Sequence, residues 1–199
     1  MFRIKIIATL LISLSTVYVF AFNAVNKRFT ETDSAAIVKT ELFEESQMTV
    51  KCEVEAYRRG LHNDATAAVT NIRSKPIKNS PIVKVISTTD EVVFSITGSN
   101  NGWFEISKVE TAGTDSDKIL FQGRAWVHSS QLDLDVASSD PKLYAEPSKK
   151  ARVLKKLIPD GSPSEPLACK GKWMKVKSGK LTGWLAPDGQ CANPLTTCS

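Results

Sequence analysis

Apolar residues in this chain fall in short β-branched and aromatic runs broken by turn-forming clusters, and their period is that of strands. Runs at residues 82–86, 92–96, 103–106 and 119–127 predict a first set of strands, and runs at 151–157, 167–169, 173–177 and 180–185 a second. Within Trp173-Met174-Lys175-Val176-Lys177, one face carries Trp173, Lys175 and Lys177 and the other Met174 and Val176, as in a strand covered on one side. Gly98-Ser99-Asn100-Asn101-Gly102 reads as a turn between strands, and Ser178-Gly179 as a hairpin turn. No segment after residue 50 shows a sustained helical stripe, so the expectation is an all-β fold of small barrels with about five strands each.

The two sets follow one template. Ile72-Arg73-Ser74-Lys75-Pro76 leads to Gly102-Trp103-Phe104-Glu105-Ile106, and Leu143-Tyr144-Ala145-Glu146-Pro147 leads to Gly171-Lys172-Trp173-Met174-Lys175-Val176. Proline precedes tryptophan by 27 residues in the first copy and 26 in the second. Each copy closes on a second tryptophan segment, Gly123-Arg124-Ala125-Trp126-Val127 or Gly183-Trp184-Leu185. The spacing between the paired tryptophans is 23 residues in copy one and 11 in copy two, and the polar stretch at 111–118 marks a lengthened hairpin as the source of the excess. An internal repeat of this kind predicts two related units.

These motifs resemble the bacterial Src-homology-3 (SH3b) domain, whose sequences open on an L-N-V-R-S-x-P pattern and close on G-W segments. Thr70-Asn71-Ile72-Arg73-Ser74-Lys75-Pro76 matches the opening, and residues 123–132 match the close except between Gly123 and Trp126, where Arg124 and Ala125 stand. The second copy diverges, with Lys142 where Asn71 stands and Tyr144 where Arg73 stands. The resemblance covers roughly residues 52–132 and 140–190 and implies tandem SH3-like β-barrels. The expected organisation is a signal peptide or retained anchor at 1–21, a linker with a short helix near 35–45 at 22–50, a first barrel at 51–136, and a second barrel with a Cys-containing tail at 137–199. Units of 60 to 80 residues are small enough that disulfides or a shared interface often supplement the core.

The amino terminus carries Arg3 and Lys5 before an uncharged apolar run from residue 6 to 20, with Ala21 where a signal peptidase would cut. Read as a retained anchor, the uncharged stretch at 6–25 is just long enough to span a bilayer. The expectation is therefore an exported chain, periplasmic or secreted, or one anchored in the inner membrane. In an oxidising compartment Cys52, Cys169, Cys191 and Cys198 become disulfide candidates. Three of them lie in the last 31 residues, which favours a bond among Cys169, Cys191 and Cys198 that staples the tail. Their spacing lacks a C-x-x-C pair and a neighbouring His, so no metal site is expected.

Charge is uneven. Residues 22–139 hold 13 Lys+Arg against 16 Asp+Glu, whereas residues 140–199 hold 11 against 5, so the second copy is the basic one. That end is suited either to anionic polymers or to being a solvated surface. Nucleic acid is not expected as a partner of an exported chain, and a membrane only through an uncleaved amino-terminal segment.

Chemistry is sparse. The chain has two histidines, and His128 in His128-Ser129-Ser130 has no orienting acid indicated by a motif, so neither an enzymatic activity nor a cofactor is expected. Binding is the expected function, with Asn71, Arg73, Trp103, Trp126, Tyr144, Trp173 and Trp184 as candidate ligand contacts. Of these Tyr144 is expected to be the exposed contact. The resemblance implies peptidoglycan, its peptides or a wall-associated protein as partner. The alternative is a membrane-tethered protein-interaction or regulatory subunit that binds no glycan.

Overall fold

Residues 50–56 alternate without a break, Val50, Cys52, Val54 and Ala56 against Lys51, Glu53 and Glu55, and they open the first strand, β1 (Val50–Arg58). Val54 and Ala56 are buried while all three charged neighbours are exposed, so the alternation in the sequence is the inside and outside of a sheet. The structure, a computed structural model, describes residues 48–60, 69–113, 118–137, 140–158 and 163–195. The signal or anchor at 1–21, the short helix near 35–45, His62 and Cys198 lie outside the described residues.

After β1 come β2 (Val69–Arg73), β3 (Ile82–Ser87), β4 (Val92–Asn100), β5 (Trp103–Thr111), β6 (Ile119–His128), β7 (Leu132–Asp133) and β8 (Asp135–Val136). The second half adds β9 (Lys142–Tyr144), β10 (Val153–Lys156), β11 (Glu165–Lys170), β12 (Trp173–Ser178), β13 (Leu181–Leu185) and β14 (Gln190–Cys191). Single 3₁₀ turns at Ser129–Gln131 and Pro187–Gly189 are the helical elements among the described residues. The fold is all-β.

A seven-stranded sheet has the order β3-β2-β6-β5-β4-β1-β7, and a five-stranded sheet the order β10-β9-β13-β12-β11. Numbering the five strands that each repeat contributes from one to five, both sheets read 2-1-5-4-3. Register agrees at single residues: Arg73 faces Trp126 and Tyr144 faces Trp184, while Glu105 faces Trp126 and Lys175 faces Trp184. The longer tryptophan spacing of copy one resolves as longer strands, with β5 and β6 paired out to Glu110 and Ile119 where β12 and β13 end at Ser178 and Leu181.

One detail differs from the reading of the sequence. Gly98, Ser99 and Asn100 belong to β4, and the turn is confined to Asn101 and Gly102, whose φ angles are +46° and +78°. Gly98 stays in the ladder because β1 lies against it. A Cβ there would sit 2.6 Å from Thr49 Cγ2 and 3.1 Å from the Val50 carbonyl oxygen.

One buried cluster runs through both sheets, from Ala56, Ile72, Phe94, Phe104 and Ile106 through Leu132 and Leu134 to Leu143, Met174, Val176 and Leu185. The sheets are also joined by backbone. Glu53 N–H donates to Gly171 O at 2.7 Å and Gly171 N–H to Lys51 O at 3.1 Å, flanking Cys52, and Leu134 and Ser164 exchange N–H···O bonds of 3.0 and 2.8 Å. Strand β8 pairs with β14 beside them.

Of the three cysteines among which a bond was expected, Cys169 pairs outside that group. It bonds to Cys52 at a Cα–Cα distance of 5.7 Å and 117 residues away in sequence, because β11 packs against β1. Cys191 is disulfide-bonded as well. Paired cysteines are compatible with an exported protein.

Candidate binding site

Alternation along β2 buries Ile72 and turns Asn71 and Arg73 the other way. Strand β5 begins at Trp103 directly after the Asn101-Gly102 turn, and β6 ends at His128, its partner across the ladder. The indole of Trp103 and the imidazole of His128 meet edge to face, centroids 4.9 Å apart at 76°. Between these elements opens a pocket of about 380 Å³ lined by Asn71, Arg73, Lys78, Trp103, His128, Ser130 and Gln131.

Each wall is held. Arg73 donates from Nη1 to the Ser80 carbonyl at 2.7 Å, which fixes the guanidinium against the loop that carries Lys78. Ser80 closes that loop by donating from its hydroxyl to the carbonyls of Lys75 and Ile77. The partner of Arg73 is thus a backbone carbonyl. His128 caps the Ser129–Gln131 turn: Nδ1 accepts the Ser130 N–H at 3.2 Å and lies 2.8 Å from its hydroxyl. With Nδ1 accepting, the neutral imidazole carries its proton on Nε2. Gln131 donates from Nε2 to the Val69 carbonyl at 3.4 Å and ties the turn to β2.

Three of the residues singled out from sequence, Asn71, Arg73 and Trp103, therefore share one pocket. Trp126 is buried beside Arg73 and is not among the lining residues. The remaining three meet in the second sheet. Tyr144 stands where Arg73 stands in the first, and its ring packs edge-on to Trp173, centroids 5.5 Å apart at 86°. Tyr144 is only 9% exposed, which overturns the expectation of an exposed contact: a ring in place of a cation finds the strand-opening tryptophan and packs on it. Trp184 is half-buried under Lys175, whose Nζ lies 6.0 Å from the indole centroid.

Lys78, Ser130 and Gln131 were missed, since their approach depends on a loop fold and a ladder register that spacing does not encode. His128 had been weighed only as a catalytic base. A signal for its placement existed in the chain, since it lies at the end of the closing tryptophan segment whose neighbouring strand opens on Trp103.

The centre of the equivalent face differs in sign between copies. In the first sheet Glu105 has a side chain only 2% exposed and pairs with Lys51 at 2.9 Å and with Arg124. Burial pushes its pKa upward, but the hydrogen bonds and charges of Lys51 and Arg124 outweigh that and hold it below the usual carboxylate value. In the second sheet the same position is Lys175.

No protein-family model and no curated protein matches the chain. Among solved structures it is similar to the NlpC2 and NlpC1 proteins of Trichomonas vaginalis, at 14% and 13% identity and a TM-score of 0.28 each. Each alignment covers 73% of this chain and 48% of the other, so the chain spans about half the length of the solved structures it matches.

Proposed function

We propose that this chain is an exported, non-enzymatic binding protein whose two sheets are tandem SH3-like barrels of the bacterial SH3 type. Its ligand is a component of the bacterial envelope: peptidoglycan, its peptides or a wall-associated protein. The observation that carries this reading is the pocket in which Asn71, Arg73 and Trp103 converge. A planar cation anchored at one edge, an amide and an aromatic wall suit a small polar group carried on an extended ligand. The second copy has filled the equivalent place with Tyr144 on Trp173, so recognition in this mode belongs to the first copy. His128 spends its Nδ1 on the Ser130 cap, which suits a structural wall of the pocket better than a general base. The paired cysteines support the exported location.

Co-sedimentation of the mature chain with purified cell-wall sacculi tests this. Binding is expected, and Arg73→Ala and Asn71→Ala are each expected to weaken it about tenfold, the scale of one hydrogen bond to a charged group. A chain that stays in the supernatant, or binding indifferent to both substitutions, would overturn the assignment.

A second reading, a protein-interaction subunit, is favoured by one feature. Ile82, Val83 and Val85 are each close to half exposed on β3, the edge strand of the larger sheet.

A further inference from the structure

The outer face of the second sheet carries charge and aromatic surface that the pocket does not use. Along β12, Met174 and Val176 are fully buried, so Trp173, Lys175 and Lys177 share the opposite face. Across the ladder Lys175 faces Trp184, Lys177 faces Thr182, and Lys170 on the other side faces Trp173. Lys175 and Lys177 are two residues apart on one strand, roughly 7 Å. The acid that meets this row in the ladder is Glu165, opposite Lys177, while Asp140 pairs with Lys142 and Lys156 and Asp188 with Lys149. At the position of Lys175 the first copy has Glu105, closed over by Lys51 and Arg124. One duplicated face thus has its central charge neutralised in one copy and left as a cation on a tryptophan in the other.

We propose that this face, centred on Lys170, Lys175 and Lys177 with Trp173 and Trp184 beside them, binds an acidic polysaccharide. A row of lysines complements a chain with an anionic group on each repeat, and the half-buried indoles next to them offer apolar surface to the sugar rings. A bilayer fits less well, since both tryptophans are half-buried in the face rather than standing clear of it. The choice of a glycan over a nucleic acid rests on the exported location, supported by the disulfides.

Dextran sulfate is the probe, with unsulfated dextran, a single-stranded DNA oligonucleotide and phosphatidylglycerol vesicles as parallel arms. The full mature chain is expected to bind dextran sulfate more tightly than the other three. Combined Lys170→Gln, Lys175→Gln and Lys177→Gln is expected to weaken that binding at least about tenfold, with a shallower dependence on salt. A charge-matched control, Lys75→Gln, Lys118→Gln and Lys150→Gln, is expected to keep it, as is Arg73→Ala. Unfolding midpoints of both triple variants report whether the fold is intact, and Lys177→Gln alone, at an exposed position, gives a milder second test expected to lose two- to threefold. Equal losses in the two triple variants, no loss in the first at an unchanged midpoint, or oligonucleotide or vesicle binding as tight as that of dextran sulfate would overturn the proposal. Failure on sacculi with lysine-dependent binding to dextran sulfate would remove the pocket assignment and leave this site standing.

Discussion

The buried hydroxyl of Ser99 holds the backbone of Cys169 at two points, accepting its N–H at 2.9 Å and donating to its carbonyl at 3.3 Å. Ser99 lies on β4 of the larger sheet and Cys169 on β11 of the smaller, so one side chain stands in for a strand pair between them. Replacing it by Ala leaves a buried donor and acceptor without their partner. Ser99→Ala is expected to lower stability by about 1–3 kcal/mol. Urea unfolding by tryptophan fluorescence measures this, and a change under about 0.5 kcal/mol would show that the hydroxyl holds nothing.

The Cys52–Cys169 bond closes a loop across 117 residues. Chain-entropy arguments put its contribution to stability at the upper end of the usual 2–5 kcal/mol for a native disulfide. Paired Cys52→Ala and Cys169→Ala substitutions are expected to lower the unfolding midpoint accordingly while leaving the bond at Cys191 in place. Calorimetry on the doubly substituted chain, with a thiol titration to verify the remaining bond, is the measurement.

Acid sensitivity follows from Glu105. Burial raises its pKa, but the hydrogen bonds and charges of Lys51 and Arg124 lower it by more, so the folded value lies below the unfolded one of 4.5. A carboxyl depressed on folding adds stability that is fully present above the unfolded value and is lost as pH falls through the folded one. Glu105→Gln is therefore expected to cost stability at pH 7 and to cost less at pH 3, with a flatter profile between. Parallel profiles for the two proteins would refute the coupling.

Gly183 is the position at which the second copy cannot follow the first. A Cβ there would meet Leu143 Cγ at 2.6 Å and the Tyr144 carbonyl oxygen at 2.9 Å, whereas the equivalent residue before Trp126 is Ala125, fully buried. Gly183→Ala is expected to destabilise by about 1–3 kcal/mol through overpacking against backbone. Ala125→Gly in the first copy is expected to cost less, about 1 kcal/mol, from a lost methyl and added chain freedom.

Much of the strand content was legible because the repeated spacing marks corresponding strands in the two halves, whereas their order in the sheets was not. The Ile72/Leu143 and Trp103/Trp173 correspondences recur as matching ladder positions, Ile72 facing Lys84 as Leu143 faces Lys155, and Trp103 facing Asn100 as Trp173 faces Lys170. Strand β1 escaped notice even though Val50 to Ala56 alternate as cleanly as any segment, because the repeat template has no counterpart for it. The partner of Cys169 was not legible for the same reason: Cys52 sits on that unmatched strand, far from Cys169 in sequence. Of the candidate contacts, Asn71, Arg73 and Trp103 converge, and Tyr144 does not remain exposed. A change from guanidinium to phenol alters which neighbour a side chain prefers, and no count of spacings reveals that.

Strand β1 is among the first described segments to leave the ribosome, yet two of its contacts, with Gly171 and Cys169, are with residues made more than a hundred positions later. Ordered chain growth cannot finish this molecule piece by piece. Strand β1 can pair with β4 as soon as that strand exists, but its bond through Cys52 must wait until Cys169 has been synthesised. The covalent link between the two sheets is accordingly a late event, timed by the arrival of residue 169 rather than by the completion of the first sheet.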